Sequence, residues 1–242
     1  VAETGALELV VDLPPTVLAI YAHPDDAEVS CGGSLASWAK AGSAVHLVLC
    51  SIGDKGSREQ GVDPARLVKL RAAEVEEAAQ ILGLRSCSSL GYRDGEVEND
   101  SGLRGELVGA IRRLRPNAIV TPDPTAVFSG DRYYNHRDHR VVGFAALDAA
   151  APAAASPLYY PDRGAAHEVG VLYLSGSLAP DVAIDISAEV ETKCLAVLAH
   201  RSQLGGDEPS WSSAALADRA ARVGRRAGVA SAEAFRRIRL LS

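Results

Sequence analysis

The chain has 242 residues, 47% of them apolar and 23% charged, and a net charge of −6 at neutral pH. That is enough apolar material for one large core and too little uncompensated charge for a disordered chain. The basic residues are scattered, which argues against a nucleic acid or an anionic membrane as partner and favours a small neutral or basic molecule. Four cysteines without CxxC spacing, no apolar run of membrane-spanning length and no basic-then-apolar N-terminal stretch point to a reducing cytosol. Few of the basic residues are lysine and alanine is abundant, a composition expected of a GC-rich bacterial source.

In chain order, a loose start through Pro14-Pro15 leads to strand-like runs at 17–21, 45–50, 87–90, 118–121, 169–174 and 182–186. Helical patterns lie between them. Gly32-Gly33-Ser34 opens one that runs to Lys40, Asp63 caps a second that has Pro64 at its first position and stops at Gly83, and a third covers 103–114. Beyond residue 187 the pattern reads as helical over 188–203, 211–222 and 232–237. Strands alternating with amphipathic helices predict an α/β fold, Rossmann-like, with a mostly parallel sheet covered by helices on both faces. A single domain over 1–242 is expected, with its core at about 16–205 and a helical C-terminal portion at about 206–242. No GxGxxG turn and no P-loop is present, so nucleotide binding has no support in the sequence.

The chemistry is concentrated at His23-Pro24-Asp25-Asp26, directly after the apolar run that makes the first strand of the core. In open α/β sheets the C-terminal tips of the strands are where ligand sites form. A second cluster, His136-Arg137-Asp138-His139, supplies further ligands. Two imidazoles and a carboxylate hold a catalytic zinc ion and leave a fourth position for water, and His23, Asp26 and His139 make that set. Neighbouring side chains in an extended segment point apart, so one metal seldom takes both Asp25 and Asp26. Asp25 is then free to act as general base on the attacking water. His136, three residues before His139, can face the same pocket and stabilise the oxyanion or protonate the leaving amine. Asp138 or Asp131 can accept the outer N–H of a ligand histidine. The nitrogen and oxygen donors suit zinc but also accept iron(II), cobalt or manganese. Cys31 reads as a small buried hydrophobe despite its nearness to the carboxylate pair, His46 as a satisfied strand residue, and His167 as a loop residue without a role.

At these residues the sequence resembles the PIG-L / LmbE-like family of zinc-dependent N-acetylglucosaminyl deacetylases. The resemblance runs through Ala22-His23-Pro24-Asp25-Asp26-Ala27-Glu28 with Gly32-Gly33, Ser51-Ile52-Gly53-Asp54-Lys55-Gly56, Arg71-Ala72-Ala73-Glu74 and Leu82-Gly83. It continues through Gly91-Tyr92-Arg93-Asp94-Gly95, His136-Arg137-Asp138-His139, Lys193, His200-Arg201-Ser202-Gln203 and Glu233-Ala234-Phe235. It implies a Rossmann-like fold, zinc on His23, Asp26 and His139, Asp25 as base and His136 as electrostatic stabiliser. Arg137 stands where Pro is common in the family, and the segment 122–131 departs from its members, which bears on substrate choice.

The expected activity is removal of an acyl group, acetyl above all, from the amine of an amino sugar or a related small molecule, with Arg58, Asp94, Arg132 and Tyr134 as candidate contacts to sugar hydroxyls. Competing readings are an amide hydrolase for a thiol conjugate or natural-product intermediate, an iron(II) oxygenase, which uses the same ligand types, and a non-enzymatic protein whose metal ties two loops together. Members of the family often associate, which leaves a homo-oligomer open as a reading, although no helix face in the sequence marks an interface.

Overall fold

The computed structural model of the chain describes residues 5–57, 60–131, 133–204 and 212–240. In chain order the elements are β1 (Glu8–Leu9), β2 (Thr16–Tyr21), α1 (Asp26–Lys40), β3 (Ala44–Ser51), α2 (Pro64–Leu82), β4 (Ser86–Tyr92), α3 (Ser101–Leu114) and β5 (Ala118–Pro122). They continue with β6 (Phe128–Ser129), β7 (Tyr133–Tyr134), α4 (Arg137–Asp148), β8 (Val171–Ser175), β9 (Val182–Asp185), α5 (Val190–Leu198), α6 (Ser213–Ala227) and β10 (Ala232–Arg239). Eight strands form one sheet in the order β1-β9-β10-β8-β5-β2-β3-β4, while β6 and β7 pair as a separate hairpin. From β4 to β8 the neighbours are parallel, and β10 runs antiparallel between β8 and β9.

β2 shows why the sheet is covered twice. Its side chains alternate, so Val17, Ala19 and Tyr21 join a core with Leu35 of α1, Val75 and Leu82 of α2 and Ala196 of α5. Leu18 and Ile20 face the other way, against Leu103, Leu107 and Ile111 of α3 and Val142 and Ala146 of α4. Each fully buried valine, leucine or isoleucine among them contributes about 1.5–3 kcal/mol. The local signals that end α2 behave as the sequence predicts: the Asp63 carboxylate accepts from Ala65 N at 3.0 Å, and Gly83 turns left-handed at φ 71°.

Two expectations are corrected. The stretch 232–237, expected to be helical, lies in strand β10: its backbone pairs with β8 on one side and β9 on the other, and it buries Phe235 on one face of the sheet and packs Ile238 on the opposite one. Alanine, glutamate and arginine favour a helix, but the slot between two strands decides the conformation. The first helix begins at Asp26 rather than Gly32, with a break at Cys31 (φ −147°, ψ 19°) from which its second part restarts. Smaller shifts occur elsewhere: the segment 188–203 is helical only over Val190–Leu198 before a short 3₁₀ turn at Arg201–Gln203, and the loose N-terminal region contributes β1. The helix expected over 211–222 is α6, with residue 211 outside the described residues.

In the order of strands, β2 is followed by β3 on one side and has β5 on the other. The loops leaving β2 and β5 therefore part at a switch point and enclose a crevice. Gly143 lets α4 close on that crevice, because a Cβ there would stand 2.5 Å from the carbonyl oxygen of Pro122 at the end of β5.

Candidate active site

The loop after β2 carries His23, Asp25 and Asp26, and the segment after β5 enters α4 with His136 at its N-cap and Asp138 and His139 in its first turn. The two clusters meet. One ring nitrogen from each of His23, His136 and His139 lies within 4.8 Å of the others. Asp26 bridges two of the rings: its Oδ2 is 3.2 Å from His23 Nδ1 and its Oδ1 is 3.0 Å from His139 Nε2, while those nitrogens are 3.2 Å apart. Ligands 2.0–2.1 Å from a tetrahedral ion lie about 3.3 Å from one another, so the spacing fits a divalent cation.

The outer nitrogens agree. His23 Nε2–H donates to Asp138 Oδ2 at 3.2 Å, an oxygen that also accepts from Gly95 N at 2.6 Å. His139 Nδ1–H donates to Asn135 Oδ1 at 3.0 Å, and Asn135 Nδ2 donates to Ala126 O at 2.9 Å, which fixes the amide. In its neutral form each ring then has its lone pair facing Asp26, the arrangement in which histidine binds a metal. His136 differs: its Nδ1 accepts from Asp138 N at 3.3 Å, so its Nε2 bears the proton and can donate.

The charges respond to this crowding. Burial disfavours a protonated His23, but the attraction of Asp26 and the hydrogen bond that Asp138 accepts outweigh it and carry the pKa up to about 10. His139 is raised in the same contest between burial and Asp26. Asp26 itself, despite burial, is held well below the usual carboxylate range by His139 and His23. A site that gathers protons in this way is one where a divalent ion can replace them.

Asp25 stands apart from that group. It adopts a left-handed conformation (φ 96°, ψ −28°), which is strained for any residue other than glycine, although aspartate tolerates it better than most. Its Oδ2 accepts from Arg71 Nη2 at 2.8 Å, and the same nitrogen donates to Pro24 O at 2.6 Å. Burial, joined by the charge of Asp26 and opposed by Arg71, pushes the Asp25 carboxyl up to about 7. Arg71 lies in a cradle of two glycines: a Cβ at Gly53 or Gly56 would stand 2.7 or 2.2 Å from its Nη1.

A cavity of about 610 Å³ opens over these groups, lined among others by Tyr21, Asp25, Asp26, Tyr133, His139 and Arg219. At its floor the Tyr21 hydroxyl is hydrogen-bonded with Ser175 Oγ at 2.8 Å and lies 3.2 Å from Cys31 Sγ, so Cys31 belongs to the core and not to the imidazole cluster. Of the expected sugar contacts, Arg58 and Arg132 lie outside the described residues. Asp94 is turned inward, accepting from Ser51 Oγ (2.6 Å), Gly53 N (3.1 Å) and Lys55 N (3.3 Å), and so it staples the loop after β3. Tyr134 is exposed on β7 and accepts from Arg140 at 2.5 Å. Asp131 is not the partner of either inward-facing histidine; Asp138 and Asn135 are. Arg71, Asn135 and Arg219 were not foreseen as site residues.

A buried carboxyl beside a convergent imidazole–carboxylate set, at the switch point of a parallel sheet, is the build of a metal-assisted hydrolase of the α/β class. The family model described as PIG-L, GlcNAc-PI de-N-acetylase, matches residues 18–150, and the chain belongs to that family. It is 30% identical over 194 residues to the diacetylchitobiose deacetylase of Thermococcus kodakarensis, an alignment covering 79% of this chain and 71% of that one. It is 32% identical over 193 residues to a 1D-myo-inositol 2-acetamido-2-deoxy-alpha-D-glucopyranoside deacetylase of Streptomyces avermitilis, covering 67% and 62%. The structure superimposes on N,N'-diacetylchitobiose deacetylase from Pyrococcus horikoshii with a TM-score of 0.84 at 27% identity, covering 95% of this chain and 88% of that one.

Proposed function

We propose that this protein is a metal-dependent hydrolase that removes the acetyl group from the nitrogen of an N-acetylated amino sugar or its conjugate. The observation that carries the reading is the convergence of His23 Nδ1, His139 Nε2 and the Asp26 carboxylate beside an Asp25 that Arg71 holds by one oxygen only. Zinc is the ion proposed, held by His23, Asp26 and His139, with Asp138 and Asn135 orienting the rings. When bound, such an ion lowers the pKa of water and polarises an acyl oxygen.

The chain's own groups do the rest. Asp25 takes a proton from the attacking water through Oδ1, since Arg71 occupies Oδ2. A carboxyl raised to about 7 is well matched to that exchange near neutral pH. As the new C–O bond forms, His136 Nε2–H is the donor for the negative oxygen, and burial together with the nearby His23 lowers its pKa, which keeps the ring neutral. Asp25 returns its proton to the nitrogen as the C–N bond breaks, giving acetate and a free amine. The open cavity argues against a metal that only ties loops together, since structural sites are closed. We place the protein in a reducing cytosol, a setting that suits its four free cysteines; no helix of the described residues is long and apolar enough to cross a membrane. We also propose that the whole chain works as one domain.

The test is an amine-release assay across N-acetyl sugars, sugar conjugates and glycosylated natural products, with and without a chelator. Release that the chelator abolishes and added zinc restores is the expected result; no release from any N-acetyl sugar at any metal loading would overturn the reading.

A further inference from the structure

Two hollows meet at Arg219 of α6. The cavity of about 610 Å³ that contains Asp25, Asp26 and His139 shares Val29, Ser30, Gly176 and Arg219 with a smaller one of about 210 Å³. The smaller is strongly basic, for Lys193, Arg219, Arg222 and Arg226 line it against a single carboxylate, Glu233. Most of that charge is spoken for: Lys193 pairs with Glu233, Arg222 with Asp218, and Arg226 Nε donates to Gly5 O at 3.0 Å. Arg219 is exposed and takes part in no hydrogen bond or ion pair among the described residues. A guanidinium with no counter-ion among the described residues, at the junction of the hollow that holds Asp25, Asp26 and His139 and a basic one, is placed to receive an oxyanion by two parallel N–H donors.

Resting on the deacetylase reading, we propose that Arg219 sets specificity by binding an anionic substituent, so that the preferred substrate is an N-acetyl amino sugar bearing a phosphate or carboxylate group. The field orients such a molecule. Arg219 holds the anion at the outer end, which leaves the uncharged acetamide to reach the end that Asp25, Asp26 and His139 line. Tyr133 lines the same cavity, close enough to Arg219 to feel its charge.

The experiment compares kcat/KM for N-acetylglucosamine 1-phosphate and 6-phosphate, N-acetylglucosamine 6-carboxylate and neutral N-acetylglucosamine in the zinc-loaded wild type, Arg219→Gln and Arg219→Glu. The wild type should prefer at least one anionic sugar by about 10-fold or more, the worth of one charge-assisted contact. Arg219→Gln should remove that preference mainly through KM, and Arg219→Glu should reverse it. Equal use of neutral and anionic sugars by the wild type, or a preference that survives in both variants, overturns the proposal. If no sugar is turned over, the deacetylase reading fails on its own, and calorimetric titration of the same phosphates decides here: binding that Arg219→Gln weakens about 10-fold supports the anion site, and binding that is absent or equal in the two proteins overturns it.

Discussion

Replacing Glu233 with Ala tests how the sheet holds the helix that carries the site. Glu233 lies on β10, 5% exposed, and reaches across to the point where α1 restarts after Cys31. Its carboxylate accepts from Gly33 N (3.2 Å), Ser34 N (2.7 Å) and Ser34 Oγ (2.6 Å), and it pairs with the buried ammonium of Lys193. A restarting helix exposes N–H groups and a partial positive charge, and a carboxylate from a distant strand satisfies both. Truncation strands those donors and leaves the Lys193 charge with Val29 O, at 2.9 Å, as its remaining acceptor. Breaking one half of a buried ion pair costs about 3–5 kcal/mol. In a chain of this size each kcal/mol moves Tm by about 2–4 °C, so thermal unfolding followed by circular dichroism at pH 7 should show a drop of about 6–20 °C. The double variant Glu233→Ala, Lys193→Met, which also removes the stranded charge, should recover part of the loss. A drop under about 2 °C, or a double variant less stable than the single one, would refute the argument.

The remaining predictions concern the site. Asp25→Asn keeps the shape of the side chain but cannot accept a proton, so kcat should fall by about 10²–10⁴-fold while metal content by elemental analysis stays at the wild-type level; unchanged kcat would remove Asp25 from the chemistry. Metal-free protein should lose stability as pH rises. The His23 pKa of about 10 in the folded state lies above the ordinary 6.5, so its contribution is fully present below about 6.5 and is lost as pH climbs towards 10. His139 acts in the same direction. Asp25, raised to about 7, adds a decline at lower pH, between about 4 and 7. With zinc in place of the protons, the decline between pH 6.5 and 10 should shrink; Tm measured across pH with chelator and with zinc compares the two, and identical slopes would contradict the account.

The parts of this molecule that were legible in its sequence are those fixed by local signals. Asp63, Pro64 and Gly83 bracket α2 because capping is settled within a few residues. The apolar runs of β2, β3 and β5 mark buried parallel strands, and His23, Asp25, Asp26, His136 and His139 stand out because they sit where such strands and the next helix meet. What failed depends on distant chain. β10 is a strand because two other strands flank it, and its own residues point the other way. Arg71 is invisible as the anchor of Asp25 because a buried arginine on a helix is written with the same letter as a solvated one; only the close approach of Gly53 and Gly56 reveals it. Asp94 shows the converse, a polar residue that looks poised for a ligand while its own loop occupies its carboxylate.

The central claim is that one divalent ion is shared by His23, Asp26 and His139. An anomalous difference map from crystals of the zinc-loaded protein, recorded on both sides of the zinc edge, measures this directly. A single peak about 2.0–2.2 Å from His23 Nδ1, His139 Nε2 and an Asp26 oxygen is predicted. A peak bound by the three imidazoles with Asp26 turned away, or lying elsewhere in the molecule, would contradict it.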